Sequence, residues 1–220
     1  MKAMLLAAGL GKRLRPLTEA TPKPLLRAGS KRLIEYQIEN LVAAGITEIV
    51  INLHHLADQI ESFLGDGRAL GAHIEYSREP DLLETGGGIK QALAQLGDDP
   101  FIVVSADTYI EFDFSRLPSV LPSGCLGCLL MTNNPAHHPV GDFAIAADGV
   151  LQAAGECLTY TGTAVLAPDL VSGEPDGAFA LRKVFDDAIA AGRLRGMKHD
   201  DYWCDVGTLE RLEAVRAYLK

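Results

Sequence analysis

Short apolar runs alternate with segments of helical spacing through the first hundred residues. That alternation leaves few architectures open. Residues 3–7, 48–53, 72–76 and 101–105 are apolar or β-branched runs of strand length. Between them, residues 33–44 set Ile34, Ile38, Leu41 and Val42 on one helical face, with Gly45 as a stop. Residues 56–64 repeat the spacing through Leu56, Ile60, Phe63 and Leu64, and Gly65 and Gly67 end the run. Residues 86–96 do so through Ile89, Ala92, Leu93 and Leu96. Repeated strand–helix–strand units predict an α/β fold, with a mostly parallel sheet and helices on both faces. Ligands of such sheets sit outside the carboxyl ends of the strands.

The second half has a different texture. Strand candidates crowd together at 125–132, 142–147, 149–154 and 159–166, with Asp148-Gly149 as a hairpin signal. A helix is expected at 180–191, with Leu181, Val184, Phe185, Ala188 and Ile189 inward and Gly192 closing it. Strands follow at 194–198 and 202–206. A last helix at 208–219 is expected to bury Leu209, Leu212, Val215 and Leu219. No long linker or composition break divides the chain, so residues 1–220 read as one domain with a small β-rich subregion. No hexapeptide repeats occur, so no β-helical extension is expected.

The first strand runs into Leu6-Ala7-Ala8-Gly9-Leu10-Gly11-Lys12-Arg13-Leu14-Arg15-Pro16-Leu17-Thr18, with Pro22-Lys23-Pro24 downstream. Glycines let the backbone turn sharply and approach a ligand, and the exposed amides of such a turn form an anion site. Arg13, Arg15 and Lys23 add cations, so the stretch suggests a polyphosphate. A Walker loop needs Ser or Thr after Gly-Lys, and Arg13 stands there. A dinucleotide fingerprint needs a third glycine where Leu14 stands. A net charge of −9 argues against nonspecific nucleic-acid binding, so an anionic ligand must meet a local cationic pocket. No apolar run is long enough to cross a membrane, and no signal peptide is expected. Cys125-Leu-Gly-Cys128 lacks the second pair that a zinc site wants. The four cysteines read as thiols in a reducing cytoplasm. His137-His138, in a proline-flanked loop, is expected to face solvent.

The stretch from Leu6 to Thr18 with Pro22-Lys23-Pro24 resembles the signature of the sugar-phosphate nucleotidyltransferases. The resemblance runs from Lys2 to about Tyr218. It implies a Rossmann-like, GT-A-like nucleotide-diphospho-sugar transferase fold, with residues 1–110 as the nucleotide half and 111–220 as the sugar half. Leu6, Ala7, Ala8, Gly9 and Gly11 would wrap the nucleotide. Arg13, with Arg15 nearby, would hold the leaving pyrophosphate, and Lys23 would neutralise the α-phosphate.

Asp107 just past the 101–105 strand and Asp205 in Trp203-Cys204-Asp205-Val206-Gly207-Thr208 match the family's two Mg²⁺ carboxylates. The family has Gly before the first of these; this chain has Ala106. Thr208 is the better helix cap, which leaves Asp205 free for a metal. Leu83-Glu84-Thr85-Gly86-Gly87-Gly88 stands where the family reads the base, with Glu79 at a base-reading position. Its glycines would let a flat base lie on bare backbone, over Thr85, Gly86 and Gly87. Gly141, Asp142, Glu156, Thr161 and Gly162 match the sugar-contacting stations in order. Cys157 stands where many relatives carry a phosphate-holding lysine.

The Glu-Thr-Gly-Gly-Gly segment resembles the uridylyl-transferring branch that acts on N-acetylmuramate 1-phosphate more than the glucose or mannose branches. The implied substrates are UTP and that sugar 1-phosphate, in cell-wall recycling, with Mg²⁺ as cofactor and no nucleic-acid or membrane partner. The oligomeric state stays open between monomer and small homo-oligomer. Guanylyl transfer to mannose 1-phosphate, thymidylyl or uridylyl transfer to glucose 1-phosphate, and cytidylyl transfer to a phosphoalcohol are alternatives. A non-catalytic nucleotide-sugar sensor is an alternative of another class; it would have no need of both Asp107 and Asp205.

Overall fold

The computed structural model describes residues 1–220. Its first half follows the expected alternation: β1 (Ala3–Leu6), α1 (Leu33–Ala43), β2 (Glu48–Leu53), α2 (Ala57–Leu64), β3 (His73–Arg78), α3 (Glu84–Leu96), β4 (Phe101–Ser105) and β5 (Thr108–Ile110). The second half supplies β6 (Gly127–Thr132), β7 (Phe143–Ile145), β8 (Leu151–Gln152), β9 (Cys157–Leu166), α4 (Leu181–Ala190), β10 (Leu194–His199), β11 (Trp203–Asp205) and α5 (Leu209–Tyr218). A nine-stranded sheet runs β8-β7-β9-β4-β1-β2-β3, with β6 also on β9 and β10 on β6. The pairs β4–β1, β1–β2 and β2–β3 are parallel, as is β6–β10. β9 enters antiparallel beside β4, so both halves of the chain share one sheet.

Strand alternation fills both faces. Ala3 and Leu5 point to a core with Ile34, Ile38 and Leu41 of α1 and Ile60 and Leu64 of α2. Met4 and Val103 point the other way, to Ile89 and Leu96 of α3 and Val184 and Phe185 of α4. A third, smaller cluster joins the ends of the chain: Leu14, Leu26 and Leu33 pack with Val206, Leu212 and Val215.

Two expected core residues lie elsewhere. Leu209 is largely exposed, because Thr208 caps α5 and turns the first helical residue outward. Phe63 sits on the surface under the Arg32 guanidinium, 3.6 Å from its ring centre.

β9 carries the irregularity that matters for the site. Its pairing with β6 shifts register between Tyr160 and Ala164. Such bulges re-aim side chains beside active sites. Here the shift spans Thr161 and Gly162, and the Thr161 carbonyl accepts a hydrogen bond from Trp203 Nε1 at 2.9 Å.

Candidate active site

A cavity of about 910 Å³ opens at the carboxyl ends of β1 and β4. Its floor is the turn after β1. Gly11 has φ +60°, and an added Cβ there would stand 2.8 Å from Thr18 Cγ2, so this position demands glycine. Thr18 Oγ1 donates to the Gly11 carbonyl at 2.8 Å and closes the turn. Gly9 has no heavy atom within 4 Å of where a Cβ would stand; that space is open to a ligand. A recess runs from Gly9 over Gly11, Lys12 and Arg13 to Lys23, Asp107 and Gly207. Arg15 lines neither this recess nor the main cavity. Leu6 lines both, Ala8 the main cavity and Ala7 the recess.

Lys23 is only 9% exposed. A 3-10 turn opens at Lys23 itself, between the two flanking prolines. That turn carries the ammonium into an ion pair with Asp107. Asp205 arrives from the other end of the chain. β11 pairs antiparallel with β5, placing Asp205 opposite Thr108, and Val206 N donates to the Asp107 carbonyl at 3.0 Å. Both carboxylates line the main cavity. Thr208 caps α5 by accepting from Arg211 N at 3.3 Å, so Asp205 is not consumed as a cap.

Asp205 Oδ1 is buried and makes no hydrogen bond of good geometry, although Arg211 Nη1 and His137 Nε2 lie 3.2 and 3.0 Å away. It is held by charge rather than by a directional bond. A hard cation suits such an oxygen. No group of three or more His, Cys, Asp or Glu gathers anywhere in the chain, so Asp107 and Asp205 would act as a pair, without a third protein ligand of these types. That donor set fits Mg²⁺, which keeps waters and takes phosphate oxygens for its remaining positions.

The base-side residues are arranged differently from expectation. Gly86 N and Gly87 N already donate to the Phe179 carbonyl, at 3.0 and 3.3 Å. A Cβ on Gly86 would stand 2.4 Å from the Phe179 ring, and one on Gly87 2.2 Å from the Gly177 carbonyl. These glycines admit the 177–179 segment, and neither lines the cavity. Leu82, Glu84 and Thr85 do line it. Glu84 has φ +57°, a conformation that favours glycine. Glu79 is buried and reaches the cavity only through Asn52, whose Nδ2 donates to Glu79 Oε1 at 2.7 Å while its Oδ1 accepts from Ala7 N at 2.9 Å. Asn52 thus ties the start of the turn to β2. In the buried run Ile49 to Leu53 it gave no sequence signal beyond being polar.

On the sugar side, Asp142, Thr161 and Gly162 line the cavity with Tyr160 and Trp203. Gly141 and Cys157 stand behind the wall, and Glu156 is exposed away from it. His137 and His138 are solvent-exposed as expected, with side chains 43% and 40% exposed, and they also line the cavity. His138 Nε2 lies 3.3 Å from Asp142 Oδ1, and His137 meets Asp205 as above. Arg182 reaches in from α4, paired to Asp186 at 2.8 Å and Asp142 at 3.4 Å. Neither histidine nor arginine was foreseen as a site residue; each comes from a loop or helix with no motif of its own.

Burial, then the Asp205 charge, pushes the Cys204 thiol up to about 11. At pH 8 its thiolate fraction is therefore about 10⁻³, and only the thiolate reacts. Iodoacetamide at pH 8 is expected to label Cys204 far more slowly in the folded protein than in urea, as mass mapping would show. Equal labelling rates would contradict the burial.

Residues 2–120 match the Nucleotidyl transferase family. The N-acetylmuramate alpha-1-phosphate uridylyltransferase of Neisseria meningitidis serogroup B is 44% identical, over 99% of this chain and 97% of the relative. The Caulobacter vibrioides protein of the same name is 37% identical over 99% and 96%. HddC from Yersinia pseudotuberculosis, complexed with GMP-PN, superposes with a TM-score of 0.81 at 22% identity, over 100% of this chain and 99% of that one, which bears on the fold alone. A phosphate-type turn, a buried lysine and two carboxylates gather at the strand ends of a fold shared with such proteins. The chain belongs to the nucleotidyl transferase family and is a sugar-1-phosphate nucleotidyltransferase.

Proposed function

We propose that this protein transfers a uridylyl group from UTP to N-acetylmuramate 1-phosphate, releasing pyrophosphate and UDP-N-acetylmuramate. The carrying observation is the 44% identity, nearly end to end, to a relative of that name. A phosphate oxygen of the sugar 1-phosphate attacks the α-phosphorus, a P–O bond forms, and the bond to the β-phosphate oxygen breaks. The nucleophile is already anionic, so the site needs no strong base; positioning and charge neutralisation do the work. Arg13 and the amides of the turn after β1 take the departing pyrophosphate. Lys23 neutralises the α-phosphate. Asp107 and Asp205 would hold Mg²⁺, which when bound supplies positive charge to the phosphate oxygens. Thr161, Gly162 and Asp142 receive the sugar. No helix is long and apolar enough to cross a membrane. Four free cysteines support a reducing, cytoplasmic setting, with the product feeding cell-wall sugar recycling.

UTP is expected to be preferred over GTP. The 177–179 segment already fills the space over Gly86 and Gly87, which leaves a short slot between Leu6, Asn52, Leu82 and Thr85 for the base. A site built on hydrogen bonds can reject a mispaired base by about 10⁴–10⁵, whereas one methyl is discriminated by only about 10–200-fold. Thymidine triphosphate should therefore leak through and GTP should not. Pyrophosphate release with UTP, dTTP, CTP and GTP, against a panel of sugar 1-phosphates, tests both halves of the reading. A GTP specificity constant at or above that of UTP would move the protein to guanylyl transfer. Ligand binding without any pyrophosphate release would make it a sensor.

A further inference from the structure

Arg211 sits in the first turn of α5 with its side chain only 13% exposed. Its Nη1 lies 3.2 Å from Asp205 Oδ1, but Nε and Nη2 are buried with no hydrogen-bond partner. A buried donor left unpaired is costly, more so on a charged group. A cation in the first turn also opposes the helix dipole, which favours negative charge there. Both penalties fall on one side chain, and both vanish when an anion arrives.

The surroundings say where that anion lies. A Cβ on Gly207 would stand 2.0 Å from Arg211 Nη2 and 2.9 Å from Arg13 Nη2. Two guanidinium groups therefore converge over one glycine. Arg13 also borders the recess over Gly9 and Gly11, whereas Arg211 does not. Arg211 belongs only to the main cavity, with Trp203 and Thr161. Trp203 and Asp205 lie two apart on β11 and so share a face. The other cations near this point are engaged: Lys23 with Asp107, and Arg182 with Asp142 and Asp186. Arg211 stands between the sugar side and the phosphate turn, with a buried, unpaired planar edge that matches two oxygens of one phosphate.

We propose that the Nε–Nη2 edge of Arg211 binds the phosphate of the sugar 1-phosphate and holds its attacking oxygen beside Asp205. The inference rests on the transfer reaction proposed above. Arg211→Gln and Arg211→Lys are compared with wild type, using the sugar 1-phosphate that wild type turns over best. Three readouts are taken: KM for each substrate at saturation of the other, calorimetric affinity for the sugar 1-phosphate alone, and Tm. Arg211→Gln is expected to raise KM and Kd for the sugar 1-phosphate by about 10–100-fold, with KM for UTP within about twofold. Its Tm should stay within a few degrees of wild type, the loss of unpaired buried donors offsetting the loss of the charge beside Asp205. Arg211→Lys should recover part of the affinity, as a point charge without the fork. A rise in KM for UTP equal to or larger than that for the sugar would place Arg211 on the triphosphate and overturn the proposal. Unchanged KM values with a lowered Tm would make it structural and overturn it too. Absence of turnover by wild type with every substrate pair would instead bring down the transfer reaction itself, and this inference with it.

Discussion

Asp107→Asn and Asp205→Asn are each expected to cut kcat by about 10²–10³ at saturating Mg²⁺ while leaving Tm within a few degrees of wild type. Both carboxylates line the cavity: Asp107 stands in the turn just before β5, and Asp205 ends β11, which pairs antiparallel with β5 at the register of Thr108 with Asp205. Asn keeps the shape and one acceptor oxygen, so Lys23 at Asp107, and Arg211 and His137 at Asp205, keep a polar neighbour. What disappears is the charge that would bind a hard cation. Initial rates of pyrophosphate release, with a magnesium titration and a thermal melt on each variant, separate the two effects. Wild-type kcat in either variant would remove that carboxylate from the metal site.

Lys23→Ala is expected to lose about 10²–10³ in kcat with the fold intact. The ammonium is preorganised: a 3-10 turn begins at Lys23, prolines flank it on both sides, and Asp107 holds it in the cavity wall. A cation fixed in place before the substrate arrives needs no reorganisation as charge builds on the α-phosphate. Removing it strands little, because the Asp107 side chain is partly open to water and can be hydrated. The measurement is pyrophosphate release at saturating UTP and sugar 1-phosphate, with circular dichroism as the control for folding. Equal rates for Lys23→Ala and wild type would dismiss the charge clamp.

Local patterns carried the parallel half of the fold well. Strands at 48–53 and 101–105 fall on the expected residues, because buried runs bounded by turns have few other solutions. The stop at Gly45 is also as expected: Gly45 N and Ile46 N close the helix onto the Val42 and Leu41 carbonyls. Contacts distant in sequence were not visible in the same way. The glycines at 86–88 announced a close approach, but what approaches Gly86 and Gly87 is Phe179 with its neighbour Gly177, from the far half of the chain. His137 and His138 looked like loop residues, and they are; the loop happens to lie against Asp142 and Asp205. Arg211 looked like any charge on a helix surface. Its importance comes from Gly207 and Arg13 crowding the same point, which no spacing rule can show. Signature residues near the turn after β1 were legible because the motif is local. Glu156 was placed by order alone, and order does not fix position: it is exposed and does not line the cavity.

The small third cluster, in which Leu14, Leu26 and Leu33 meet Val206, Leu212 and Val215, has a consequence for how activity appears during synthesis. The chain emerges amino end first, and domains form as units. β1 to β4 and the turn after β1 are complete long before Trp203 is added. Asp205 and Arg211 come in the final stretch, and Arg216 Nε then donates to the Arg27 carbonyl at 2.8 Å to fasten the last helix against the beginning of the chain. A chain that stops short of β11 thus owns the turn after β1 but only one of the two carboxylates that line the cavity. The cavity wall closes only once β11 and α5 have folded back onto β5 and the segments around Leu14 and Leu26.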